Sequence, residues 1–167
     1  MLVELFKAAL RSRRQGGAGR RAPPSSVRAI EAALEQVENL SEDRVLRQYL
    51  ALILATTRTN FWRRDAAGSR RTLPVVQVRS AEGAGLPEPK PMFEIFVYSP
   101  RFEGVHLRGG KVARGGLRWS DRPEDFRTEV LGLVKAQMVK NVVIVPVGSK
   151  GGFVLKRAPP LPIATRT

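Results

Sequence analysis

The sequence contains no cysteine, which excludes disulfides, thiolate metal centres and thiol nucleophiles. It has one histidine, His106, so no multi-histidine metal site can form within it, and no metal is expected. Aromatic residues make up 7% of the chain, and they are not interleaved with basic residues as a base-stacking surface requires. No run reaches the roughly 20 apolar residues of a membrane span. Acidic residues are scarce: 15 Asp and Glu stand against 29 Lys and Arg, a net charge of +14.

That surplus of positive charge raises nucleic acid as a partner. Its distribution favours solvated arginines instead. Lys7, Arg11, Arg13, Arg14, Arg20, Arg21 and Arg28 form one group opposed only by Glu4, and Arg58, Arg63, Arg64, Arg70 and Arg71 form another. A basic nucleic-acid-binding module is therefore the alternative reading, and an inactive truncated fragment is a third. Hydrophobic residues at 43% and charged residues at 26% are the proportions of a globular domain. No secretory cleavage pattern follows Met1, and Glu4 argues against an organelle transit peptide. The expected location is cytoplasmic.

Leu2, Leu5, Phe6, Ala9 and Leu10 are spaced as a helix stripe, and residues 11–26 read as a basic linker punctuated by Gly and Pro23-Pro24. A helix should begin after Ser26, with Val27, Ile30, Leu34 and Val37 on its apolar face. A second, capped by Ser41, should carry Val45, Leu46, Tyr49, Leu50, Ile53 and Leu54 and run to about Thr59. Strands are expected at Leu73–Val78, Phe93–Tyr98 and Val105–Arg108. The spacing then predicts a helix from Arg122 to Val139, a buried strand over Val142–Val147, and a glycine turn at Gly148-Ser149-Lys150-Gly151-Gly152. The fold class is α/β, or α+β at the level of this segment: a helical hairpin followed by a mixed sheet with flanking helices. The expected divisions are 1–26, 27–72, 73–157 and an unstructured tail at 158–167.

The chemistry concentrates between Arg114 and Gly152. In Arg114-Gly115-Gly116-Leu117-Arg118 a glycine pair separates two guanidinium groups suited to carboxylates. Gln137 and Lys140 lie three residues apart, on one helix face. Of the chain's seven lysines, four fall between residues 135 and 156, whereas arginine, with twenty-two, dominates elsewhere. A lysine can give up its proton in a site and an arginine effectively cannot. The choice of Lys140 and Lys150 thus fits proton chemistry better than anion holding. A P-loop is excluded because Lys150 is followed by Gly151 rather than a hydroxyl residue, and no Gly-x-Gly-x-x-Gly fingerprint is present.

Phe93–Pro100, Gly104–Arg108 and the run from Val112 to Phe153 resemble the large-subunit NAD-dependent glutamate dehydrogenases, as do Tyr49–Ile53 and Thr57–Phe61 more loosely. The resemblance implies oxidative deamination of L-glutamate to 2-oxoglutarate and ammonia with NAD as cofactor. It implies that Lys150 is the catalytic lysine, activating water for attack on an iminium. It also implies that Gln137 and Lys140 bind the α-carboxylate, and that Arg114 stands where smaller hexameric relatives place a lysine for the side-chain carboxylate. A truncated substrate-binding domain (73–157) of a homo-oligomeric amino-acid dehydrogenase is implied, with the catalytic aspartate and the NAD-binding Rossmann domain lying C-terminal to this region and absent here. On that expectation the isolated chain lacks dehydrogenase activity.

Overall fold

The computed structural model describes residue 7 and residues 24–69, 73–80, 90–111, 114–140 and 147–157. Helix α1 spans Pro24–Leu34 and α2 spans Leu40–Ala55. The first begins three residues before the expected start at Val27, because a proline is well placed in a helix's first turn, where its missing N–H has no partner to lose. Asn39, not Ser41, caps α2: its side-chain oxygen accepts from the N–H groups of Ser41 (2.9 Å) and Glu42 (3.3 Å). The two helices pack through Ile30, Leu34 and Leu50, flanked by Val27, Val37, Leu46, Ile53 and Leu54. These are largely the apolar positions that the helical spacing selects.

The second helix ends at Ala55, short of the expected Thr59, and the chain passes directly into strand β1, Thr56–Thr59. The Thr56 hydroxyl donates to the Leu52 carbonyl at 2.8 Å, closing the helix, while Thr56 itself turns extended. Three β-branched threonines then favour the strand. Strands β2 (Val75–Arg79), β3 (Phe93–Tyr98), β4 (Phe102–Arg108), β5 (Leu117–Trp119) and β6 (Ser149–Leu155) complete a six-stranded mixed sheet of order β1-β2-β3-β4-β6-β5. Neighbours are antiparallel except β5 and β6, which run parallel.

A parallel pair needs a crossover connection, and here it contains α3, Phe126–Lys140. This helix starts later than Arg122. The Asp125 carbonyl accepts the first turn's N–H bonds, from Thr128 and Glu129. The helix covers one sheet face, burying Val130, Leu131 and Val134 against Val105 and Leu107, with Phe96 and Phe126 beside them. Full burial of one such aliphatic side chain contributes about 1.5–3 kcal/mol. The opposite face carries an apolar groove lined by Ile95, Val97, Phe102, His106, Leu117 and Phe153.

The expected strand over Val142–Val147 lies outside the described residues except for Val147, as do the whole N-terminal stripe and the tail at 158–167. The glycine turn is corrected. Ser149 to Leu155 is an internal strand, in register with β4 from Phe102↔Leu155 to Arg108↔Ser149. Its glycines serve close packing rather than a bend. A β-carbon on Gly152 would stand 2.4 Å from Val130 Cγ2, and one on Gly151 would stand 2.3 Å from Leu117 Cδ2.

Candidate active site

The sequence-selected residues converge on the crossover of β5, α3 and β6. Arg114 forms a parallel bridge with Gly148, just ahead of the β5–β6 pairing. Gly115 makes that approach possible: an added β-carbon would stand 1.6 Å from the Ser149 carbonyl oxygen, closer than any backbone could tolerate. Gly115 therefore seats one strand against another, while a β-carbon on Gly116 would meet nothing within 4 Å. The two arginines flanking the glycine pair separate in role. Arg118 Nε is paired with Glu129 Oε1 at 2.8 Å, whereas Arg114 is exposed and has no ion pair among the described residues. Of the two guanidinium groups, Arg114 is the one that no carboxylate of the described residues holds, while Arg118 keeps its exposed end beyond the Nε pair.

Gln137 reaches across from α3. Its Nε2 donates to the Arg114 carbonyl at 3.1 Å, and its Oε1 is buried without a hydrogen-bond partner. That oxygen faces Gly148, where an added β-carbon would lie 2.7 Å from it. Lys150 is half-buried and pairs with Leu107. Gly148 and Gly152 both turn their α3-facing side to the helix, toward Gln137 and Val130 respectively. Strand alternation therefore places Lys150 on that same face, about 6.6 Å along the strand from each. Lys140 is the last residue of α3, and its side chain lies outside the described residues.

Two carboxylate clusters fix this frame, and sequence reading did not find them. Glu94 is 1% exposed on β3 and accepts from Arg127 Nε (2.9 Å), Arg127 Nη2 (2.6 Å) and the Ser80 hydroxyl (3.1 Å). The first turn of α3 is thereby tied to the sheet centre. Glu129, besides holding Arg118, accepts from the buried Ser120 hydroxyl at 2.5 Å. Ser120 thus joins β5 to α3, and its hydroxyl accepts from the Arg122 N–H at 3.1 Å. In the sequence, Glu94 alternates with Phe93 and Ile95 as a surface residue would. Only its partner on a distant helix marks it as buried.

Among the described residues, the groove on the other sheet face has His106 as its one titratable side chain. Burial pushes the imidazole pKa below its ordinary value, and the charge of Arg108 adds to the effect. An apolar groove with a neutral ring offers nothing to a dicarboxylate. The crossover side, with Arg114 and Lys150, does. Among the described residues no group of acidic or histidine side chains could hold a metal ion, and no helix is long and apolar enough to cross a membrane.

Compared with known proteins, residues 29–166 match the family described as the bacterial NAD-glutamate dehydrogenase catalytic domain. The chain belongs to this family. The NAD-specific glutamate dehydrogenase of Pseudomonas aeruginosa is 65% identical over 131 residues, 78% of this chain and 8% of the relative. That of Halomonas elongata is 60% identical over 130 residues, again 78% and 8%. That of Mycobacterium tuberculosis is 52% identical over 162 residues, 96% of this chain and 10% of the relative. The chain thus spans about a tenth or less of the length of these dehydrogenases.

Proposed function

We propose that this chain supplies the glutamate-binding and proton-transferring part of an NAD-dependent glutamate dehydrogenase, which in the complete polypeptide converts L-glutamate to 2-oxoglutarate and ammonia. Residues 73–157 are read as the substrate-binding part of that catalytic domain, in a complete enzyme that is homo-oligomeric and cytoplasmic. The observation that supports the reading, beside family membership, is the crossover itself: Arg114 is bridged to Gly148, the Gln137 amide bonds the Arg114 carbonyl, and Lys150 lies two residues along the same strand segment from Gly148.

A substrate with two carboxylates needs cationic or donor groups at two points. Arg114 takes the side-chain carboxylate in a two-pronged grip, and Gln137 with Lys140 takes the α-carboxylate. Lys150, as the general base, removes a proton from water as the water oxygen bonds to the iminium carbon. The carbon–nitrogen bond of the resulting carbinolamine then breaks, releasing ammonia and leaving the ketone. Partial burial on a strand flanked by glycines confines the amine to one side of the sheet.

The hydride acceptor implied by the family is NAD. The described residues do not fit it. The glycines of β6 lie within a paired strand whose β-carbon space is taken by Val130 and Leu117, leaving no cradle for a pyrophosphate. No step is therefore assigned to NAD within this chain.

The test is substitution of Lys150 in a full-length dehydrogenase carrying this segment. Lys150→Ala and Lys150→Arg should each lower kcat by about 10²–10⁴-fold, the usual scale for a lost general base. Circular dichroism should remain that of the parent. Arginine keeps the charge but cannot act as the base, so full activity in Lys150→Arg would reject the assigned role.

A further inference from the structure

The Gln137 amide is built into the protein more firmly than a free substrate ligand needs to be. One of its N–H donors is committed to the Arg114 carbonyl at 3.1 Å. That partner fixes the amide's orientation, because a carbonyl can only accept. Its oxygen is consequently turned inward, buried and unpartnered, against the bare α-carbon of Gly148. A β-carbon at residue 148 would meet Gln137 Oε1 at 2.7 Å, Cδ at 3.1 Å and Cγ at 3.4 Å. The side chain therefore occupies the space that the missing β-carbon leaves. Gly148 in turn is the residue bridged to Arg114. The three positions form a closed triangle: helix to strand through packing, strand to strand through the bridge, strand to helix through the hydrogen bond.

We infer that Gln137 is a positioning residue, which together with Gly148 sets where the Arg114 guanidinium stands over the site. This rests on the reading of Arg114 as the ligand for the distal carboxylate, and adds to the α-carboxylate role assigned to Gln137. Gln137 leaves the helix two turns after Val130, the residue that packs on Gly152. Seven helical residues rise about 10.5 Å, and the four strand residues from Gly152 back to Gly148 cover about 13 Å. Helix and strand thus run side by side in opposite directions. The amide is the brace at the far end of that contact, where α3 approaches its terminus at Lys140.

The experiment is a double-mutant cycle of Gln137→Ala and Gly148→Ala in a full-length dehydrogenase carrying this segment. It is read by the KM for glutamate and by competitive inhibition with 4-aminobutyrate, which is glutamate without its α-carboxylate. Because the brace acts through Arg114, Gln137→Ala should weaken 4-aminobutyrate on the order of tenfold, the scale of one lost hydrogen bond, along with glutamate. Gly148→Ala should do the same by pushing the amide out. The double variant should be no worse than Gln137→Ala alone, since the atoms that the new methyl would strike are gone. An unchanged 4-aminobutyrate constant in Gln137→Ala overturns the proposal, as do additive effects of the two substitutions. If Gly148→Ala does not fold, recovery of folding in the double variant supports the brace, and failure of the double variant to fold overturns it. The same cycle on thermal unfolding is independent of the chemistry, so loss of the catalytic reading through Lys150 and loss of the brace are told apart.

Discussion

Replacing Arg127 by methionine tests whether the buried carboxylate on β3 holds α3 in place. Glu94 is 1% exposed and draws two of its three side-chain hydrogen bonds from Arg127, whose side chain is 22% exposed. Removing one member of a buried pair strands the other charge and costs about 3–5 kcal/mol. The partial exposure of Arg127 lets water reach the vacated space, so the lower end, about 3 kcal/mol, is expected. That is a large part of the roughly 5–15 kcal/mol by which a domain is stable. The companion variant Glu94→Leu/Arg127→Met removes both charges and leaves only the Ser80 hydroxyl short of a partner, a penalty of about 1 kcal/mol. The double variant should therefore be more stable than Arg127→Met by about 2 kcal/mol. Urea unfolding followed by far-UV circular dichroism, with unchanged slopes, measures both. A loss below about 1 kcal/mol in Arg127→Met, the level of a surface ion pair, would refute the anchoring role.

Two further outcomes follow from the packing and the titration. Gly152→Ala should destabilise the fold by about 1–3 kcal/mol, the cost of overpacking, because Val130 is 1% exposed and cannot move aside. Adding Val130→Ala should recover part of that loss, and strict additivity in thermal unfolding would show that the contact is not the cause. His106 has a folded pKa below its ordinary value of about 6.5. As pH falls below about 6.5 the unfolded chain takes up a proton that the folded chain resists. The stability present above that pH is therefore lost progressively down to the folded pKa. His106→Gln should flatten this part of the curve, by at most about 1.4 kcal/mol per pH unit, and an unchanged slope in chemical unfolding at pH 5–8 would contradict the burial argument.

Much of the fold could be read from the residues, and the exceptions share physical causes. Ile30, Leu34 and Leu50 lie at helical spacing, and the hairpin core uses them. Phe93–Tyr98 alternates and is a strand with the expected bounds. β1 was hidden because Thr56 continues directly from an apolar helical stripe, and the switch of period occurs without a glycine or proline to mark it. β6 was hidden because Gly151 and Gly152 remove the side chains from which a period of two would be read. Their local signature is that of a turn, yet the partners that require glycine, Val130 and Leu117, are distant in sequence. At the proposed site, residue type alone singles out Arg114, Gln137, Lys140 and Lys150 as candidates. That Arg118 is occupied by Glu129, and that Gln137 engages the Arg114 backbone, depends on contacts across 11 and 23 residues, which no local pattern reports.

The parallel pairing of β5 with β6 has a consequence for how such a site can be transplanted and modified. Arg114, Gln137 and Lys150 all belong to one uninterrupted strand–helix–strand loop of polypeptide, and their mutual geometry is set within it. Extra sequence spliced between β1 and β2, or between β2 and β3, would lengthen the chain without separating any two of these residues. The proposed site is thus a cassette in its connectivity: it needs β4 as a neighbouring strand, and its spacing is indifferent to the size of what is attached beyond the far edge of the sheet.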